Sequence, residues 1–169
     1  ADNGSGLPAG NWLGSGGNGY GDLAPTSVGW QAIDLNENVN LIAGQIYHLV
    51  VVYQSGTISN SRYISLRRSS PLNNLIPFNQ AIDSAANTLF YNGRRWTIQN
   101  YQPIYELDFV DNTFEGNPYE NSQQFAIYGQ NFVGENFSLI QSATSTQVSF
   151  YVRKNHKNTT GDLLVTLWD

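Results

Sequence analysis

The stretch Gly44-Gln45-Ile46-Tyr47-His48-Leu49-Val50-Val51-Val52-Tyr53 constrains the chain more than any other. It is the longest apolar run in the sequence. Gly44 suits a turn leading into it. Val50, Val51 and Val52 are stiff, β-branched side chains that fit a pleated surface better than a helix. A run apolar on both sides predicts a central sandwich strand that neighbours must cover on both faces. The remaining residues have to supply those neighbours.

They read mostly as short strands. Trp30 to Leu35 alternates apolar and polar, Asn36-Glu37-Asn38 reads as a turn, and Val39 to Ile42 as a short strand. Tyr63 to Arg68 alternates again. Thr88 to Tyr91 and Trp96 to Gln99 flank Asn92-Gly93, a hairpin signal. Ile104 to Phe109, Phe125 to Tyr128, Asn136 to Ile140, Thr146 to Arg153 and Leu163 to Trp168 complete the set. Residues 1–29 are rich in Gly and Asn and read as loop, without the Lys-Ser/Thr pair of a phosphate loop. Residues 69–88 read as an irregular crossing, with room for one helical turn between Asn79 and Asn87. Residues 110–124 are polar, carry Gly116 and Pro118 and lack a period, so they read as a linker. The expected fold is all-β, a jelly-roll-like antiparallel sandwich.

Composition narrows the function. Of 169 residues only 12% are charged, about half the usual share. Asn, Gln, Ser, Thr and Gly supply the polarity, as suits an extracellular hydrogen-bonding surface, and a secreted location is expected. The net charge of −5 argues against a nucleic-acid partner. No apolar stretch reaches the roughly 20 residues of a membrane helix. With no Cys, disulfides and thiol chemistry are excluded. With no Met, the chain reads as a processed form or a segment of a longer one.

Several stretches carry a resemblance. Gln124-Phe125, Val148-Ser149-Phe150-Tyr151-Val152-Arg153 and Gly161-Asp162-Leu163-Leu164-Val165-Thr166-Leu167 resemble the opening elements of a jelly-roll domain of secreted bacterial and archaeal proteins. Trp30 to Leu35, Ala43-Gly44-Gln45-Ile46-Tyr47 and Trp96 resemble its closing elements. Here the order is rotated. The resemblance implies that 1–109 is the C-terminal part of a sandwich, 110–124 a linker, and 125–169 the N-terminal strands of the same or the next subunit. The two parts could close within one chain as a circular permutation, between neighbouring molecules, or as a cut through a tandem array. Either of the last two gives an open head-to-tail fibre.

Few residues suggest chemistry. His48 reads as a buried core side chain and His156 as part of a solvated basic turn, so no histidine site is expected. Asp108 and Asp111, together with Asp2 and Asp169 at the chain ends, are candidate oxygen ligands for calcium, though without the calcium-loop spacing. Trp12 and Trp96, near loops, are candidates for stacking on a sugar ring; Trp30 and Trp168, on strands, read as core. Asn3, Asn136 and Asn158 head sequons and are candidate glycosylation sites. The leading expectation is a non-enzymatic subunit of an extracellular filament whose partners are copies of itself, head to tail. The alternative is a carbohydrate-binding module with glycans as partners. A glycosidase is a third reading that no particular carboxylate pair supports.

Overall fold

A computed structural model of the chain describes residues 7–8, 13, 18–21, 27–55, 59–68, 87–99, 101, 103–117, 123–156 and 162–168. The apolar run forms β3 (Ile46–Ser55), entered through the tight turn at Gly44, whose φ of +76° suits a residue without Cβ. It pairs on one side with β10 (Asn131–Ser138) and on the other with β12 (Asp162–Trp168), both antiparallel. Beyond β10 lie β5 (Asn87–Asn92) and β6 (Trp96–Gln99); beyond β12 lies β1 (Asn18–Gly21). This first sheet therefore runs β1-β12-β3-β10-β5-β6.

The second sheet is built on β11 (Ala143–Lys154). Val148 pairs with Ile33 on one side and Leu107 on the other, while Val152 pairs with Gly29 and Leu66. So β2 (Gly29–Leu41) lines one edge of β11. The strands β7 (Tyr105–Phe109) and β4 (Ile64–Arg68) share the opposite edge, end to end. Outside them lie β8 (Phe114–Asn117) and β9 (Gln123–Ile127). All pairings are antiparallel, and no helix occurs among the described residues. The chain is an all-β sandwich of two sheets, as its strand pattern leads one to expect.

Alternation decides what each strand buries. Tyr47, Leu49 and Val51 of β3 enter the core with Val133 and Phe137 of β10 and Val165 and Leu167 of β12. Val148, Phe150 and Val152 of β11 meet them from the other sheet, with Ile33, Leu66, Leu107, Phe125 and Ile127. Each such side chain contributes roughly 1.5–3 kcal/mol by leaving water.

Three stretches differ from expectation. Residues 30–42 were expected as two strands around a turn and form one 13-residue strand. Its turn signal survives as a bulge: between the Asp34–Gln147 and Val39–Ser145 pairs, β2 advances five residues and β11 two. The 110–124 stretch, expected to lack regular structure, contains β8, folded back on β7 by a tight turn. There Asp111 accepts hydrogen bonds from the Thr113 N–H (3.0 Å) and hydroxyl (2.6 Å). The loop expected at 1–29 contains β1. Residues 79–86 lie outside the described residues. Strands from both sides of 110–124 alternate in both sheets of this one chain.

Candidate functional site

The outward face of the first sheet is apolar where it meets solvent. Because Tyr47, Leu49 and Val51 point inward, His48, Val50 and Val52 point outward. Register places Thr166 and Gly134 beside Val50, Phe132 beside Tyr91, and Tyr91 beside Trp96. Val50, Val52, Tyr91, Trp96, Phe132 and Thr166 line a hollow of about 380 Å³, together with Trp168.

Gly134 sits mid-strand in β10, and a Cβ there would approach the Leu49 carbonyl oxygen to 3.2 Å and Val50 Cγ2 to 3.4 Å. The hollow is walled by rings. Tyr91 and Phe132 stack, with centroids 5.2 Å apart and planes 19° from parallel. Trp96 leans on both, at 5.3 Å from Tyr91 and 6.5 Å from Phe132. On the far wall the Trp168 indole N–H donates to the Thr166 hydroxyl at 2.7 Å, and that hydroxyl donates to the Val50 carbonyl at 3.4 Å. Trp168 is thereby held by its polar edge, and its apolar ring lines the hollow. Among the described residues no Asp, Glu, Lys or Arg lines it. Such a wall offers ring faces and little polarity, which suits the C–H face of a neutral ligand.

Comparison with protein families, curated proteins and solved structures returns no match. Any functional reading therefore rests on the site.

Of the residues expected to carry chemistry, Trp96 lies in this cluster. Trp12, Asp2, Asp169, Asn3 and Asn158 lie outside the described residues. Trp168 lines the hollow rather than the core. Trp30, also expected in the core, is 38% exposed and faces outward from β2 against Tyr151, 5.5 Å away. The glycosylation candidate Asn136 is only 3% exposed, so the folded chain does not present it as an acceptor. Its sequon falls within β10. His48 is buried and His156 exposed, as expected.

The calcium candidates separate into two roles. Asp111 is tied up in its own turn, and the two Thr113 hydrogen bonds hold its pKa below the ordinary value. Asp108 faces outward on β7, its pKa raised by burial against a weaker lowering by the Ser149 hydroxyl, 3.4 Å away. It helps line a second hollow of about 360 Å³ with Asp34, Thr113 and Gln147, and Gln147 donates to Asp34. Among the described residues no three His, Cys, Asp or Glu side chains gather as a metal site would require.

Phe132 was missed because Asn131, Gly134 and Glu135 disfavour strand in isolation. The signal was present in the Phe132–Val133 pair, read against the two-residue period of Asn136 to Ser138.

Proposed function

We propose that this chain is a carbohydrate-binding β-sandwich module that holds sugar without turning it over. One observation carries the reading: the Tyr91–Trp96–Phe132 ring cluster and Trp168 line one hollow. A pyranose has one apolar face, and flat rings are the side chains that match it. The absence of charge among the described lining residues favours neutral sugars over acidic ones. The scarcity of charge in the whole sequence and its hydrogen-bonding surface support a secreted setting for such a module.

The test is retention on immobilised neutral polysaccharides, followed by calorimetry on a retained oligosaccharide. Trp96→Ala and Phe132→Ala should each weaken binding at least tenfold, about 1.4 kcal/mol. Their circular dichroism should remain that of the parent. Failure of the parent to bind any neutral glycan, or full binding by both variants, would sink the proposal.

A second reading, head-to-tail assembly by exchange of halves, is supported by the strand order. Both neighbours of β3 come from beyond residue 124, so a second copy's β10 and β12 could replace them with identical contacts. Electron microscopy tests it.

A further inference from the structure

The turn that joins β5 to β6 contains Asn92-Gly93-Arg94-Arg95, directly beside the ring cluster. The last paired residues of this hairpin are Tyr91 and Trp96. One step further in, the Thr97 hydroxyl donates to the Phe90 carbonyl at 3.1 Å and ties the two strands together. Within the turn the Asn92 N–H donates to the Arg95 carbonyl at 3.4 Å. The Asn92 side-chain oxygen, Oδ1, accepts two backbone hydrogen bonds, from the Arg94 N–H at 3.1 Å and the Arg95 N–H at 3.2 Å. Asn92 is exposed, so water reaches it. Gly93 has a φ of +85° and no Cβ.

An asparagine followed by glycine can lose its side-chain amide. The backbone nitrogen of the glycine gives up its proton to solvent and attacks the carbonyl carbon Cγ. The N–Cγ bond forms and negative charge gathers on Oδ1. The Cγ–Nδ2 bond then breaks, and the nitrogen leaves with its protons as ammonia. Water opens the resulting five-membered imide at either carbonyl. One opening gives aspartate; the other gives isoaspartate, with the main chain routed through the side-chain carbon. Such a reaction runs faster where fixed donors already face the oxygen that becomes charged. The Arg94 and Arg95 N–H groups stand in that position on Oδ1. The aspartate product keeps both bonds, now charge-assisted.

We infer that Asn92 is a self-modifying site, deamidated faster in the folded chain than in the unfolded one because its own turn supplies the two oxyanion donors. Asn18-Gly19 repeats the dipeptide, but both of its residues are held in the β1 ladder, Asn18 against Thr166 and Gly19 against Val165. That pairing opposes the backbone rotation that ring closure requires. Gly93 lies beyond the end of its ladder. Isoaspartate inserts one more main-chain carbon into the turn that sets Tyr91 beside Trp96, 5.3 Å apart. Conversion therefore loosens one wall of the hollow and gives the site a finite lifetime. Only the effect on glycan retention rests on the sugar reading; the conversion stands without it.

The test holds the folded chain in mildly alkaline buffer for days, with a parallel sample in urea above its unfolding midpoint, and weighs the peptides of each. Conversion adds about one mass unit to the peptide containing residue 92. In the folded chain Asn92 should convert before Asn18, and roughly tenfold faster than in urea; contact with water keeps the factor below the 10²–10³ that one such donor is worth in a closed enzyme site. Asn92→Gln should abolish conversion there, because the longer side chain closes its ring slowly. In the isolated isoaspartyl fraction the near-ultraviolet circular dichroism of the Tyr91–Trp96 pair should fall, and glycan retention should weaken at least tenfold, while Asn92→Asp keeps both. A folded rate equal to or below the unfolded one, or Asn18 converting first, would overturn the inference. An unchanged ring signal in the isoaspartyl fraction would overturn its bearing on the hollow. If conversion is fast and the ring signal falls while the parent retains no glycan, the sugar reading fails and this one stands.

Discussion

Glu106 and Asp108 stand two residues apart on one side of β7, and each has its pKa raised chiefly by burial. The sign of the consequence follows. A carboxyl with a raised folded pKa prefers its proton in the fold, so stability is fully present below the unfolded value and falls as pH rises through the folded one. Glu106→Gln should therefore raise the melting temperature at neutral pH, by a small amount because solvent screens a half-exposed carboxylate. The gain should vanish below the ordinary value of 4.5. Thermal melts across that range check it; a loss of stability at neutral pH would contradict it. Single residues were unevenly legible in the sequence. Trp96 stood out because an Asn-Gly hairpin placed it. Trp30 and Trp168 misled because a tryptophan on a strand can face either way, and only the sheet's other layer decides which way is in.

At the level of elements, the long apolar and alternating runs were readable, and the short polar strands were not. The β8 strand is Phe-Glu-Gly-Asn, with no period to find. It forms because the Asp111–Thr113 turn returns the chain onto β7, which is a tertiary cause. Gly116 marks its cost: φ is +140°, and a Cβ would sit 2.4 Å from the Tyr105 carbonyl oxygen. Backbone cannot retreat as a flexible side chain can. Gly116→Ala should destabilise the chain by about 1–3 kcal/mol, read from urea unfolding with an unchanged slope. A neutral result would mean that the β7–β8 hairpin is not closed in solution. In β2 the Asn36-Glu37-Asn38 signal was sound chemistry, but pairing with β11 outweighed it and left a bulge inside a continuous strand.

Taken whole, the described residues present a ring-lined hollow on the outward face of the first sheet. Exchange of halves would carry copies of that hollow along a filament. Exchange predicts filaments in micrographs with a repeat near one domain diameter. A monodisperse monomer or a closed dimer excludes it.

The position of β3 between β10 and β12 also sets a timetable. Val51 is made well before Val133 and Val165, the residues it pairs with. At about 5–20 residues per second, the most aggregation-prone segment of the chain waits on the order of ten seconds for its partners. Contacts this distant in sequence also fold slowly once complete. A nascent chain of this design is therefore at its most vulnerable until the seven-residue strand β12 emerges to cover the second edge of β3.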